Sequence, residues 1–313
     1  MLTRIDIKRR SLRSHFLSWF LKRQFKPKLL HPNFDPIRFR KALDRDMGRR
    51  SVATNVVVEP VDTDGVRGEW NTPANSQSQR VILYSHGGGY LFGSPLSYRS
   101  FTTRLAKAAD ARVFVLDYRL APEHPFPAAA DDVLAAYRWL LTTTPAHNIM
   151  LAGDSAGAGL SLSLLVQIKQ AGLPMPCAAI LMSPYADLNT TGASLDTNTA
   201  SCAMFSGASI RRAAATYLAG GDALDPKASP LYADYSGFPA LLIFVSDSEV
   251  LRDDGLRVAD KAAAAGVITQ LQVWRGQAHV WPLFLPQLPE ATRALNDMVD
   301  FCRQQNMTCQ KKY

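Results

Sequence analysis

Ile149-Met150-Leu151-Ala152-Gly153-Asp154-Ser155-Ala156-Gly157 is the stretch whose reading decides the fold. Four apolar residues read as a buried strand. Residues 156–171 read as a helix ending near Gly172. Between them lies G-x-S-x-G. Glycines on either side of the serine permit a sharp strand-to-helix turn that leaves the hydroxyl exposed at the strand end. The helix that follows points its N-terminus at that hydroxyl, which favours an anionic intermediate there.

Strands and helices alternate outward from this turn. Val81 to Tyr84, Val113 to Leu116, Ala178 to Met182, Leu241 to Val245 and Thr269 to Trp274 read as strands. Residues 97–109, 128–141, 253–265 and 288–304 read as helices. Near-continuous apolar strands alternating with helices predict an α/β fold, a mostly parallel sheet covered on both faces. Val56 to Val58 and Val66 to Trp70, joined by a turn at Asp64-Gly65, read as two antiparallel strands ahead of it. Residues 186–236 interrupt the rhythm and read as an insertion. Residues 10–25 and 36–50 read as helices separated by Pro27, Pro32 and Pro36.

The 313 residues carry 35 Lys and Arg against 27 Asp and Glu, a net charge of +8. Residues 1–50 hold 15 basic and 4 acidic residues; the remainder holds 20 and 23. The basic character therefore belongs to the N-terminal segment. Its best apolar run, Phe16 to Leu21, is too short for a signal peptide core or a membrane span. The reading favoured here packs this helix on the domain by its Leu/Phe/Trp stripe. Contact of a basic amphipathic helix with a membrane surface is the alternative. No basic stripe recurs beyond residue 50, which argues against nucleic acid. The four cysteines show neither metal spacing nor a disulfide framework, so a reducing, cytoplasmic setting is expected. The six histidines form no H-E-x-x-H, and no metal is expected.

Three further segments carry chemistry. His86-Gly87-Gly88-Gly89-Tyr90 follows the strand from Val81. An HGGG-type loop at this place supplies backbone donors for an oxyanion. Gly88, Gly89 and Ala156 are the expected donors, and His86 is expected to brace the loop. A serine at pH 7 needs a base. His279, in the loop after the last strand, fits the order serine, acid, histidine. The acid then comes from Ser246-Asp247-Ser248-Glu249, where position allows Asp247 or Glu249. The acid would fix the imidazole tautomer and stabilise the imidazolium.

Taken together, these motifs resemble the hormone-sensitive-lipase group of bacterial carboxylesterases, within the α/β-hydrolases. The matching residues are His86 to Gly89, Tyr118-Arg119-Leu120-Ala121-Pro122-Glu123-His124-Pro125-Phe126-Pro127-Ala128-Ala129 and Gly153 to Gly157. Asp225-Pro226, Ser229-Pro230-Leu231 and the loop 276–279 also match, and the resemblance runs from about residue 54 to 304. It implies a serine esterase for short- to medium-chain carboxylic esters, with no cofactor. Lactone, acetyl-ester or amide hydrolysis of a small molecule is the alternative, and a non-catalytic ligand-binding role is the reading from another class.

The family usually carries Asp-Pro-Leu-x-Asp at the acid. Aligned without gaps, its catalytic Asp falls on Glu249, which is favoured over Asp247. The resemblance implies that Arg119 and Glu123 are ion-pair partners behind the site. It also implies a helical cap built from residues 1–50 and 186–236 over a catalytic domain of residues 51–313. Tyr90, Leu91, Phe92, Met204 and Phe205 are the candidate pocket residues. Edge-strand dimers are common in the family, so a homodimer is a candidate assembly beside the small-molecule substrate.

Overall fold

The computed structural model describes residues 1–31, 33–63 and 65–310, with side chains as far as Gln305. Pro32, Asp64 of the expected turn and the side chain of Cys309 lie outside the described residues.

Nine strands form one sheet: β1 (Leu2–Ile7), β2 (Val56–Thr63), β3 (Val66–Pro73), β4 (Val81–Ser85), β5 (Arg112–Leu116), β6 (Ile149–Asp154), β7 (Ala178–Met182), β8 (Ala240–Ser246) and β9 (Thr269–Trp274). Their order is β1-β9-β8-β7-β6-β4-β5-β3-β2. β2 runs antiparallel to β3, and β3 to β5; the other pairs are parallel. The helices are α1 (Leu12–Gln24), α2 (Lys26–Leu30), α3 (Pro36–Met47), α4 (Pro95–Ala109), α5 (Ala128–Leu141), α6 (Ala156–Gln170), α7 (Ser194–Thr197), α8 (Gly207–Leu218), α9 (Arg252–Ala264) and α10 (Pro289–Gln310).

Both faces of the sheet are covered, and the strands show it residue by residue. Leu241, Ile243 and Val245 of β8 join the core shared with α5, α6 and α9. Leu242 and Phe244, pointing the other way, join the core shared with α4 and α10. This period-two alternation, apolar on both faces, is what a doubly covered strand requires.

β4 lies between β5 and β6, so the chain leaves β4 to one side and later returns on the other. Open α/β sheets bind ligands at such a switch point, beyond the carboxyl ends of the strands. Ser85 pairs with Gly153 across it. The loop from His86 and the turn at Ser155 therefore emerge side by side. β7, β8 and β9 are parallel to β6 and deliver their following loops to the same edge.

Three features depart from expectation. Residues 1–50 are not helical throughout: β1 pairs in parallel with β9, Leu2 opposite Thr269 through Ile7 opposite Trp274. This segment thus contributes to the sheet as well as lying outside it. Second, Leu12, Phe16, Trp19 and Phe20 of α1 are exposed, so the aromatic stripe does not pack on the domain. Ser14, Leu17, Ser18 and Leu21 face inward instead, at helical spacing. Third, Cys177 is disulfide-bonded, although the cysteine spacing predicts no disulfide framework. Cys202 and Cys302 are buried free thiols.

Candidate active site

Ser155 occupies the turn between β6 and α6 at φ 52°, ψ −120°. L-residues rarely adopt this backbone, and strain of this kind collects at functional sites. Its backbone is pinned on both sides: Ser155 N–H donates to Met182 O at 2.8 Å, and Tyr185 N–H to Ser155 O at 3.0 Å. Close packing explains the glycine two residues later, since a Cβ on Gly157 would lie 1.9 Å from Ser85 O. Asp154, just before the serine, is buried and accepts from Tyr84 Oη (2.7 Å), Tyr98 Oη (2.9 Å) and Gly87 N–H (3.0 Å). Burial pushes its pKa up to about 6, against the lowering pull of the two tyrosines.

The loop after β4 wraps against this turn. Gly88 has φ 117°, and a Cβ there would meet Phe92 O at 1.8 Å, so only glycine fits. His86 stacks on Tyr118 with ring centroids 4.3 Å apart. Tyr118 Oη donates to His86 O at 2.6 Å. Burial lowers the His86 pKa, favouring the neutral ring. His86 therefore sits as a brace, as expected. Among the described residues, no protein acceptor takes the amide N–H of Gly88, Gly89 or Ala156. Buried amides are normally paired, so three free donors around one serine suit a developing oxyanion.

His279 Nδ1 lies 2.5 Å from Glu249 Oε2, and both side chains are buried. Glu249 Oε1 accepts from Ser246 N–H (2.6 Å) and Ser183 Oγ (3.0 Å). Asp247 points elsewhere and accepts from Gly276 N–H at 2.7 Å. The structure thus brings Glu249, and not Asp247, to the imidazole. His279 Nε2 is buried and unpartnered. The Phe205 ring meets the imidazole edge-on at 5.1 Å and lines one cavity with Ser155. The Ser155 hydroxyl makes no hydrogen bond to the ring here; such contacts often tighten only with substrate bound.

The family profile described as the alpha/beta hydrolase fold matches residues 82–283. An acetyl-hydrolase of Streptomyces hygroscopicus is 45% identical over 75% of this chain and 79% of its own length. An esterase of Acinetobacter venetianus is 35% identical over 86% of this chain and 89% of its own. The crystal structure of an esterase from the bacterial hormone-sensitive lipase family superposes with a TM-score of 0.89 at 37% identity, covering 95% of this chain and 99% of that one. The chain belongs to that family of α/β-hydrolases. EstE5, solved in a crystal soaked with ethyl alcohol, superposes with a TM-score of 0.90 at 39% identity, over 95% and 100% of the two chains.

In this hormone-sensitive-lipase relative, Ser155 opens into a cavity. Of the candidate pocket residues, Leu91, Phe92 and Phe205 line it. Tyr90 does not: it is buried against Tyr217, ring centroids 3.8 Å apart. Met204 packs with Leu21, Ala203 and Ala278 instead. Leu29, Phe34, Ile210 and Arg212, not legible in the sequence, also line the cavity. No local motif marks them, because they reach the cavity only through the placement of α2, α8 and the link between α2 and α3.

The ion pairs also differ from expectation. Arg119 and Glu123 do not pair with each other. Arg119 pairs with Asp132 at 2.7 Å, and Glu123 with Arg40 of α3 at 2.8 Å. Arg40 also donates to Leu91 O and Ala121 O, each at 2.5 Å. The N-terminal segment is thereby tied to the loops after β4 and β5. Asn198, also missed, donates through Nδ2 to Asp247 O (3.0 Å) and Glu249 O (2.9 Å). It clamps the backbone at Asp247 and Glu249 from the insertion between β7 and β8.

Proposed function

We propose that this carboxylic ester hydrolase works in two acyl-transfer steps on Ser155. His279 takes the hydroxyl proton as Ser155 Oγ attacks the ester carbonyl. Glu249 holds the Nδ1–H tautomer and stabilises the imidazolium. The amides of Gly88, Gly89 and Ala156 receive the oxyanion; one such donor is typically worth about 2.7–4 kcal/mol of transition-state stabilisation. The carbon–oxygen bond to the alcohol breaks, and His279 returns the proton to the leaving alkoxide. Water then attacks the acyl-enzyme, giving its proton to His279, and Ser155 leaves with that proton as the acid is released.

The observation that carries this reading is the buried His279–Glu249 contact of 2.5 Å, with the far imidazole nitrogen unpartnered beside the cavity of Ser155. The apolar wall of Leu29, Leu91, Phe92, Phe205 and Ile210 suits acyl chains of short to medium length. Residues 1–50, apart from β1, and residues 186–236 act as the cap over that cavity in this reading.

The test is hydrolysis of p-nitrophenyl esters from acetate to palmitate, with Ser155→Ala beside the wild type. Activity that falls toward long chains, and drops about 10⁴-fold or more in the variant, is expected. Turnover untouched by Ser155→Ala would overturn the assignment. No turnover of any ester would favour a ligand-binding role for the same pocket.

A further inference from the structure

Helix α1 is apolar on two sides. Ser14 and Leu21 are buried and Leu17 is half-buried, which seats the helix on the domain. Ser14 Oγ donates to Gln277 Oε1 at 2.8 Å, two residues before His279. The opposite side carries Leu12, Phe16, Trp19 and Phe20, exposed at 87%, 66%, 51% and 46%. Phe16 and Trp19 stack at 5.7 Å, and the Arg23 guanidinium sits 5.1 Å over the indole. A single exposed apolar side chain needs no explanation, but four on one helix face do.

The charges around this face are of one sign. From Ile7 to Phe34 the chain has eight Lys and Arg and no Asp or Glu. Lys8, Arg9, Arg13, Lys22 and Arg23 are exposed. Beside Trp19 a groove opens, where His15 and Lys22 face Ser201, Ser248 and Gly276. An exposed face of aromatic and aliphatic side chains flanked by basic ones suits peripheral contact with a lipid interface. A second copy on the same face would bring like charges together, whereas anionic headgroups would neutralise them.

We propose that the exposed face of α1 docks on an anionic lipid surface, with Phe16, Trp19 and Phe20 entering the interface and the surrounding Lys and Arg meeting headgroups. Because α1 rests on the loop carrying His279, docking places the catalytic edge of the enzyme next to a phase where apolar esters concentrate. No helix among the described residues is long and apolar enough to cross a membrane, so the contact proposed is peripheral.

The test is co-sedimentation of the full chain with phosphatidylglycerol/phosphatidylcholine vesicles and with phosphatidylcholine vesicles alone, at low and high salt. Binding to the anionic vesicles, weakened by salt, is expected. Phe16→Ser with Trp19→Ser is expected to lose it while turnover of p-nitrophenyl acetate stays unchanged. Lys22→Glu with Arg23→Glu is expected to weaken binding about tenfold or more. No binding to anionic vesicles at low salt, or binding equal in both double variants and wild type, would overturn the proposal. So would a dimer in sedimentation velocity that only Phe16→Ser/Trp19→Ser dissolves, since that assigns the face to a second copy.

Discussion

Leu241 to Val245 of β8 are fully buried, whereas α3 buries no residue at all. The N-terminal segment that carries α3 lines the cavity of Ser155 through Leu29 and Phe34, and it and the sheet are held by different balances of forces. The sheet is held by apolar packing on both faces. Outside β1, the N-terminal segment makes small apolar contacts, such as Leu21 with Met204 and Phe39 with Phe92, and relies besides on charged and polar hydrogen bonds. Arg40 reaches Leu91 O and Ala121 O, and Lys26 reaches Thr199 O at 2.5 Å and Cys202 O at 2.9 Å. Ser11 N–H meets Glu290 Oε1 at 2.5 Å, and Arg212 of α8 donates to Leu29 O. Apolar burial favours one rigid arrangement. A few long polar side chains permit local opening well below the global unfolding free energy. The chemistry is thus expected to reside in the rigid region, and access and selectivity in the looser one.

The largest expected effects test the rigid side. Glu249→Gln keeps the size of the acid but loses its charge, and a fall in kcat/KM of about 10³–10⁴-fold is expected. Asp247→Asn is expected to stay within a few-fold, because Asp247 contacts Gly276 and not the imidazole. Steady-state kinetics on one short ester separates the two; equal losses would break the assignment of Glu249.

A pair of substitutions sharpens the contrast itself. Ile243→Ala in β8 leaves a cavity and should cost about 2–5 kcal/mol of global stability, seen as a lower midpoint in denaturant. Arg40→Ala should barely move that midpoint. It should instead speed limited proteolysis between residues 20 and 50 and raise KM several-fold. A global midpoint that falls as far for Arg40→Ala as for Ile243→Ala would show that the two regions unfold together.

Asn198 tests how far the insertion governs the acid. Asn198→Ala removes both bonds to the backbone around Glu249. A loss of about tenfold in kcat, with KM held, is expected if those bonds position the carboxylate, since each is worth about 1 kcal/mol. The acidic limb of the pH–rate profile should move with it. A loss of stability with an unmoved pH profile would assign Asn198 to packing alone.

The smallest effect concerns Asp154. Its pKa of about 6 in the fold exceeds the ordinary 3.8. Between these values the folded state holds a proton that the unfolded chain releases, so this group's contribution to stability falls as pH rises through the window. Asp154→Asn does not titrate. Its stability relative to wild type should therefore improve by about 1 kcal/mol between pH 5 and pH 7.5. A relative stability that is flat across that range would mean the carboxyl is not raised.

The same contrast explains what could be read from the chain. The strands from β4 to β9 and their loops are legible because unbroken apolar runs mark a doubly covered sheet, and because the carboxyl ends of parallel strands share one edge. Ser155, His279 and the loop from His86 follow from that. β1 is not legible: Leu2-Thr3-Arg4-Ile5-Asp6-Ile7 is polar enough to read as tail, and as an edge strand it buries only Ile7. The seating of α1 is not legible either, because serines face inward and aromatics outward. Tyr90 and Met204 look like pocket residues by proximity in sequence, but packing against Tyr217 and Leu21 takes them away. The resemblance already favours Glu249 over Asp247, and the geometry adds that the two carboxylates, two residues apart, point to different partners.

In the proposed reaction an acyl group passes through Ser155. The most direct measurement is peptide mapping by mass spectrometry after inactivation with a p-nitrophenyl alkylphosphonate, which phosphonylates a nucleophile and releases one p-nitrophenolate. One label per chain, located on Ser155, formed in step with the loss of activity and slowed strongly by His279→Ala, is the expected result. A label on another residue, or full activity in chains carrying the label on Ser155, would contradict the account.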